Sequence, residues 1–218
     1  MRVRGLRLRL CLCGWWAIAP HTSPALPDAP LLEQQTDWLA PARSQLLRRA
    51  HIARRTAVLD LGTGHGAVVP ELVRRSRGLV IALDRDLAGL REEAAFAGAC
   101  RLGADARHVP IVDGALDLIL SQLTLLWVSP LELAIAEIWR TLGPEGALLA
   151  LEPDYGGMIE HPPEIRSREL WLRGLARAGA DPYVGRKLPG LLADQGFEVH
   201  VSLFDSLVEP KLERFDFL

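Results

Sequence analysis

Lysine is almost missing from this chain. Of 25 basic residues only Lys187 and Lys211 are lysines, and the rest are arginines. They are interspersed with 27 acidic residues for a net charge of −2, so the sequence lacks the electrostatic footprint of a nucleic-acid surface. It also has no basic, aromatic-studded stretch of the kind that stacks RNA bases. Cysteine is scarce. Cys11, Cys13 and Cys100 are too few and too scattered for a disulfide framework, and no His/Cys cluster completes a metal site around Cys11 and Cys13. The apolar run near the amino terminus is well short of a membrane span. No internal repeat of the solenoid or propeller kind is present.

Residues 1–30 read as an extension. Arg2, Arg4, Arg7 and Arg9 precede an apolar stretch from Leu10 to Ala19, and Ala17-Ile18-Ala19 has the small-x-small form of a cleavage site. The short apolar stretch, its interruption by Gly14-Trp15-Trp16 and the proline at position 20 count against an export signal. Pro20, Pro24, Pro27 and Pro30 make the next segment an unstructured linker. The expectation is a disordered extension on a cytoplasmic protein.

What the chain does contain is a length of 218 residues, suited to one α/β domain with a full core, and one concentrated signal. Thr56 to Asp60 is a short β-branched and aliphatic run that ends in an acid. Gly62, Gly64 and Gly66 follow at alternate positions, and Ala67 to Val73 takes up a helical pattern. This reads as strand, tight turn, helix. Glycines there let a ligand approach the backbone closely, and the helix start aims free N–H groups at the same point. A nucleotide-type site at the carboxyl end of a first parallel strand is the consequence.

The glycines alone do not choose the nucleotide, because Gly62, Gly64 and Ala67 also satisfy the dinucleotide pattern G-x-G-x-x-G/A. Asp60, two residues before the first glycine, would repel a pyrophosphate and suits a cationic amine. Gly78 to Asp84 reads as a second strand whose terminal acid can accept both hydroxyls of a ribose. Asp105 follows a probable third strand, where it can accept from an adenine amino group.

Taken together, Asp60-Leu61-Gly62-Thr63-Gly64-His65-Gly66, Asp84 and Asp105 resemble the cofactor motifs of class I S-adenosylmethionine-dependent methyltransferases. Asp113 to Ser121 is similar to that family's fourth strand and its approach, and Leu142 to Leu149 to the turn into its fifth. The resemblance spans about Leu31 to Phe204. It implies a Rossmann-like, doubly wound, mainly parallel α/β sheet with helices on both faces. It also implies S-adenosylmethionine as cofactor, held by Asp60, Gly62, Thr63, Gly64, His65, Gly66, Asp84, Arg85, Asp105, Ala106 and Ser121.

Residues 31–52 read as two short leading helices, the second starting at Pro41, with Trp38, Leu39, Leu46 and Leu47 facing inward. In the resembled family such helices cover the pocket. Asp86 suits the N-cap of a helix through Ala97. Ser129-Pro130-Leu131-Glu132 reads as a capping box with proline at the first helical position. Leu131, Ala134, Ile135, Ile138 and Leu142 then form an apolar stripe. The fifth strand is expected over Ala147 to Leu151, helices over Glu164 to Ala178 and Arg186 to Gln195, and a sixth strand over Gly196 to Phe204. Only a charged, proline-containing segment follows, so the family's last, antiparallel strand is expected to be missing.

Methyl transfer from a sulfonium is an in-line displacement that gains from positioning and exclusion of water. It needs a base only where the acceptor must lose a proton. Ser121-Gln122-Leu123-Thr124 is not the Asn/Asp-Pro-Pro-aromatic motif of amino-group methyltransferases, and no Pro-Cys nucleophile for cytosine follows. A small or medium organic acceptor remains, contacted from Glu152-Pro153-Asp154-Tyr155-Gly156-Gly157-Met158. Asp154 and Tyr155 are the expected catalytic pair, with His161 a weaker third and no metal. Asp117 reads as structural. Two other readings share part of the pattern. An NAD-type oxidoreductase shares the glycine turn and Asp84 but needs neither Asp60 nor Asp105, and would want a Tyr-x-x-x-Lys pair placed to move a proton with the hydride. A non-catalytic cofactor-binding module fits the short carboxyl end.

Overall fold

The computed structural model of the chain describes residues 29–91, 93–160, 164 and 166–203. Five strands form one sheet: β1 (Ala57–Leu61), β2 (Leu79–Asp84), β3 (Ala99–Gly103), β4 (Leu116–Gln122) and β5 (Leu142–Leu151). Their order is β3-β2-β1-β4-β5 and every pairing is parallel. The order reverses between β1 and β4, which opens a crevice at the carboxyl ends of those two strands.

The central strands bury both faces, so they read as continuous apolar runs rather than alternating ones. Ala57, Leu59, Leu61 and Ile119 face one core cluster with α3 (Leu131–Thr141) and α5 (Val184–Gln195). Val58, Leu118 and Leu120 face the other, with Leu47 of α1 (Ala29–Arg49) and Leu72 of α2 (Val69–Arg75). Asp60 falls in the second register and points toward α1 and α2. The expected stripe on α3 is buried along its length: Leu131, Ala134, Ile135 and Ile138, with Leu142 just beyond. Asp117 is structural: its carboxylate accepts from Thr56 N, Thr56 Oγ1 and Ala57 N at 2.7, 2.9 and 3.2 Å and ties the start of β1 to β4. No helix among the described residues is long and apolar enough to cross a membrane.

Several local expectations are corrected. The leading segment is one helix from Ala29, not two from Leu31, with Pro41 inside it. Thr36, Arg43 and Leu47 lie on its single buried stripe. The Arg43 Nη1 donates to the Thr36 carbonyl at 2.9 Å, in the turn where the proline weakens the ladder. Trp38 is exposed. The helix expected after Asp86 is replaced by two short 3-10 turns, Gly89–Arg91 and Glu93–Phe96. Asp86 Oδ1 accepts the Ala88 N–H two residues on, a local turn that competes with a helix start. The capping box does not form. Pro130 itself is the N-cap of α3 and no side chain caps it; the Ser129 carbonyl instead accepts from Arg107.

β5 begins directly after α3 and carries an irregularity in its pairing with β4, between Leu116 and Leu118, so it is longer than expected. The sixth strand is absent among the described residues: 197–203 form no ladder. Gly196 ends α5 in the left-handed region at φ 111°. Phe197 then packs edge-on against Trp139, and Ser202 accepts from Arg49. The alternating pattern of 197–203 is satisfied by that local packing only in part, since Val201 and Leu203 stay exposed. Among the described residues the sheet therefore ends at β5. Most of the amino-terminal extension, His161 and the segment expected to lack the last strand lie outside the described residues.

Candidate active site

The glycine turn is pinned to the neighbouring strand. Gly62 N and Thr63 N both donate to the Leu83 carbonyl at the end of β2, at 2.8 and 3.0 Å. Gly62 takes φ 75°, and a Cβ there would stand 2.1 Å from Thr124 Cγ2. Glycine is thus required for conformation and for closeness. The Gly64 N–H donates to Asp84 Oδ2 and the Asp86 N–H to Asp84 Oδ1, both at 2.8 Å. Asp84 shapes the loop and retains lone pairs on both oxygens.

Asp60 lies 3 % exposed below this turn and accepts the Thr63 hydroxyl at 2.6 Å. Burial pushes its carboxyl up to about 6; the nearby Asp84 charge adds to that, while the Thr63 bond and the Arg43 charge oppose it. Among the described residues no cation is in ion-pair contact with it. Asp105, after β3, is engaged differently. Arg107 holds it through Nε, Nη2 and the backbone N–H at 2.9, 2.7 and 2.8 Å. The Arg107 hydrogen bonds keep its carboxyl below the usual range. Ala106 is buried beside it, while His65 and the exposed Arg85 border the cleft.

The far side of the crevice belongs to β4 and β5. Ser121 is fully buried, and its Oγ donates to Glu152 Oε1 at 3.0 Å. The same oxygen accepts the Thr124 and Leu125 N–H groups at 3.1 and 2.9 Å, whereas Oε2 receives only a 3.4 Å contact from Leu126 N. Burial raises the Glu152 carboxyl to about 7 against these donors. The Thr124 hydroxyl lies 3.2 Å from the Gln122 carbonyl and 3.3 Å from the Gly62 carbonyl, either of which can take its one proton, so this residue sits between the glycine turn and Glu152.

The two residues expected to work together on the acceptor both line the cleft but differ in their partners. Tyr155 is half-buried, faces the cleft and packs edge-on against Trp171 of α4 (Ser167–Arg177), with ring centroids 5.7 Å apart. Burial, then the Glu152 charge, raises its hydroxyl, so it acts as a donor rather than a base. Asp154 is exposed, and the Arg186 Nε contacts both its oxygens at 2.9 Å. Tyr183 and Lys187 have Tyr-x-x-x-Lys spacing, but neither borders the cleft, and Lys187 is paired with Asp181 at 2.6 Å.

Two further residues shape the site in ways not read from the sequence. Glu152 was expected only as part of the acceptor segment; its place just after β5, an acid near a strand end like Asp60 and Asp84, is the signal that would have singled it out. Arg43, 4 % exposed, reaches from α1 to Glu71 of α2 at 2.8 Å and to Gln122 Oε1 at 2.9 Å. Arginine only donates, so it fixes which end of the Gln122 amide faces it. One arginine in an arginine-rich chain gives no sequence signal of this. No group of side chains that could hold a metal is found among the described residues. The cleft measures about 3680 Å³ among the described residues, several times a single small-ligand pocket, because it continues along β5.

Residues 59–150 match the family model described as a methyltransferase domain. Among curated proteins, the chain is 29% identical over 186 residues to a 37.1 kDa protein in transposon TN4556 of Streptomyces fradiae, covering 80% of this chain and 54% of that one. It is 32% identical over 127 residues to the malonyl-[acyl-carrier protein] O-methyltransferase of Methylovorus sp. strain MP688, covering 51% of this chain and 43% of that one. The chain thus spans about half the length of the curated relatives it matches. A solved structure from Methanococcus maripaludis, provisionally assigned as an S-adenosyl-L-methionine-dependent methyltransferase, shares the fold. Its TM-score is 0.56 at 20% identity, covering 81% of this chain and 87% of that chain.

Proposed function

We propose that the class I S-adenosylmethionine-dependent methyltransferase domain carried by this chain moves a methyl group onto a small or medium organic acceptor held over the carboxyl ends of β4 and β5. S-adenosylmethionine, the cofactor that this domain's family and fold imply, supplies a methyl group already activated by its sulfonium charge. The observation that carries the reading is Asp60, a buried carboxylate that no cation ion-pairs among the described residues, near the end of β1 and close to a second acid, Asp84. Such a site favours a ligand bringing a cationic amine and opposes a pyrophosphate, which weighs against a dinucleotide.

In this reading Asp60 takes the amine, the glycine turn lets the cofactor approach the backbone, and the free lone pairs of Asp84 accept the ribose hydroxyls. Asp105 and Ala106 border the adenine. Tyr155, Trp171 and Trp127 wall the acceptor side, where Tyr155 offers a hydroxyl donor. Helix α1, tied down by Arg43, covers the crevice and limits water. Positioning and water exclusion then supply much of the rate. A cytoplasmic location belongs to the same proposal. Calorimetric titration with S-adenosylmethionine and with NADH tests the cofactor: binding of NADH in preference overturns it. Transfer of radiolabel from the methyl group of the cofactor into a metabolite pool tests turnover, and binding without any transfer would leave a non-catalytic module.

A further inference from the structure

We propose that Glu152 accepts the proton that the acceptor loses as it is methylated, a role that rests on the methyltransferase reading above. Its carboxylate closes β5 at the sheet's ligand edge and borders the same cleft as Gly62, Thr124 and Tyr155. Thr124 lies between it and the glycine turn: its N–H donates to Glu152 Oε1, and its hydroxyl stands 3.3 Å from Gly62 O and 3.2 Å from Gln122 O.

The hydrogen bonds around Glu152 are lopsided. Oε1 takes three donors, Ser121 Oγ and the Thr124 and Leu125 amides, which lock the side chain in place. Oε2 has a single contact, at 3.4 Å, which is at the weak limit of a hydrogen bond. A carboxylate serving only as a strut between β4 and the loop after it would engage both oxygens. Here one oxygen anchors and the other takes only that weak contact, in a residue that lines the cleft. No arginine or lysine pairs with Glu152 among the described residues, so no fixed charge competes with a proton. Burial holds the carboxyl near about 7, suited to taking up and releasing a proton near neutrality.

The step balances as follows. The acceptor's O–H or N–H donates to Glu152 Oε2. As the acceptor atom bonds to the methyl carbon, the sulfur–methyl bond breaks and its electron pair stays on sulfur, leaving a neutral thioether. The acceptor's proton passes to Oε2 and is later released to solvent. The Tyr155 hydroxyl, held protonated, orients the acceptor and does not compete for that proton.

The test needs no known acceptor. Sinefungin carries an ammonium group where the cofactor carries its sulfonium methyl, whereas S-adenosylhomocysteine carries nothing there. If Glu152 Oε2 faces the path of the methyl group, calorimetry on the full chain should show sinefungin binding more tightly than S-adenosylhomocysteine, by roughly tenfold or more. Glu152→Gln keeps an oxygen for Ser121 and the backbone amides. It should lose that preference while holding S-adenosylhomocysteine as tightly as the parent does. Glu152→Asp, which keeps the charge and draws it back by one carbon, should show a reduced preference and covers the case in which the glutamine variant does not fold. No preference in the parent, or a preference unchanged in both variants, would overturn the assignment. An equal loss of affinity for both ligands would make Glu152 purely structural and overturn it as well. Binding of neither ligand by the parent would instead bring down the cofactor reading, and this inference with it.

Discussion

Asp60→Asn should make the unliganded protein more stable and the liganded one less so. Burial raises the Asp60 carboxyl from 3.8 to about 6 in a side chain that is 3 % exposed. The folded state therefore holds the proton more tightly than the unfolded chain does. The stabilisation this gives is complete below about pH 4 and is lost as pH rises through about 6. Above that, the ionised and unpaired carboxylate costs roughly 3 kcal/mol relative to its protonated form, the equivalent of a rise of about two pH units. Asparagine keeps an oxygen for the Thr63 hydroxyl and carries no charge to bury. Urea unfolding of parent and variant should then agree to within about 1 kcal/mol near pH 4, with the variant roughly 2–3 kcal/mol more stable near pH 7.5. Glu152 titrates in the same direction in both proteins and cancels in the comparison. Saturating S-adenosylmethionine should stabilise the parent strongly and the variant little, since its amine would neutralise the parent's carboxylate. A variant less stable than the parent near neutral pH, or a difference independent of pH, would refute the idea that Asp60 is held ionised against its own burial until a cation arrives.

Three other outcomes follow from the same geometry. Asp84→Ala should weaken S-adenosylmethionine binding by roughly 1.5–3 kcal/mol in calorimetry by removing charge-assisted hydrogen bonds, with some further loss because the Gly64 and Asp86 amides are left without their acceptor. Gly62→Ala should lower stability in a thermal melt by at least about 1–2 kcal/mol for its positive φ alone. Adding Thr124→Ala should recover only the part due to the clash with the threonine methyl. Once an acceptor is in hand, Tyr155→Phe should lower kcat and kcat/KM together. Asp154→Asn should leave both within a few-fold of the parent, because Asp154 faces Arg186; a large loss in that variant would return Asp154 to the mechanism.

The parallel sheet was legible because its strands are short apolar runs whose carboxyl ends are marked by acids and glycines. That pattern reports on the backbone, and it placed β1, β2 and β4 closely. It failed where a neighbour, not the local sequence, decides. Ser129 to Glu132 has the composition of a capping box, yet Arg107 binds the Ser129 carbonyl and the helix starts without a side-chain cap. Pro41 looked like a helix start, but the Arg43 contact to Thr36 and one buried stripe carry the helix through it. Residues 197–203 alternate like a strand and form none, since a period of two identifies a strand only if an edge pairs with it. In the site, Asp60, Asp84 and Asp105 were found by position along the chain. The pairing of Asp154 with Arg186, and the cradle around Glu152, join segments distant in sequence and have no local signature.

The acids of this crevice divide by how their charge is met, and the division follows the ligand they would face. Asp105 has its counter-ion built in, Arg107, and so stays charged whether or not anything is bound. A group that only borders a neutral adenine needs no more than that. Among the described residues no cation ion-pairs Asp60 or Glu152, and burial raises both. They flank the glycine turn from opposite sides, Asp60 through Thr63 and Glu152 through Thr124. A salt-bridging arginine at either place would relieve the burial cost and remove the reason for a cation or a proton to come there. Arg43 shows that the chain can deliver a buried guanidinium to this region, yet it is directed to Glu71, Thr36 and Gln122. These two carboxylates, raised by burial, would be met in turn by the cationic amine of the cofactor and by the proton of the acceptor.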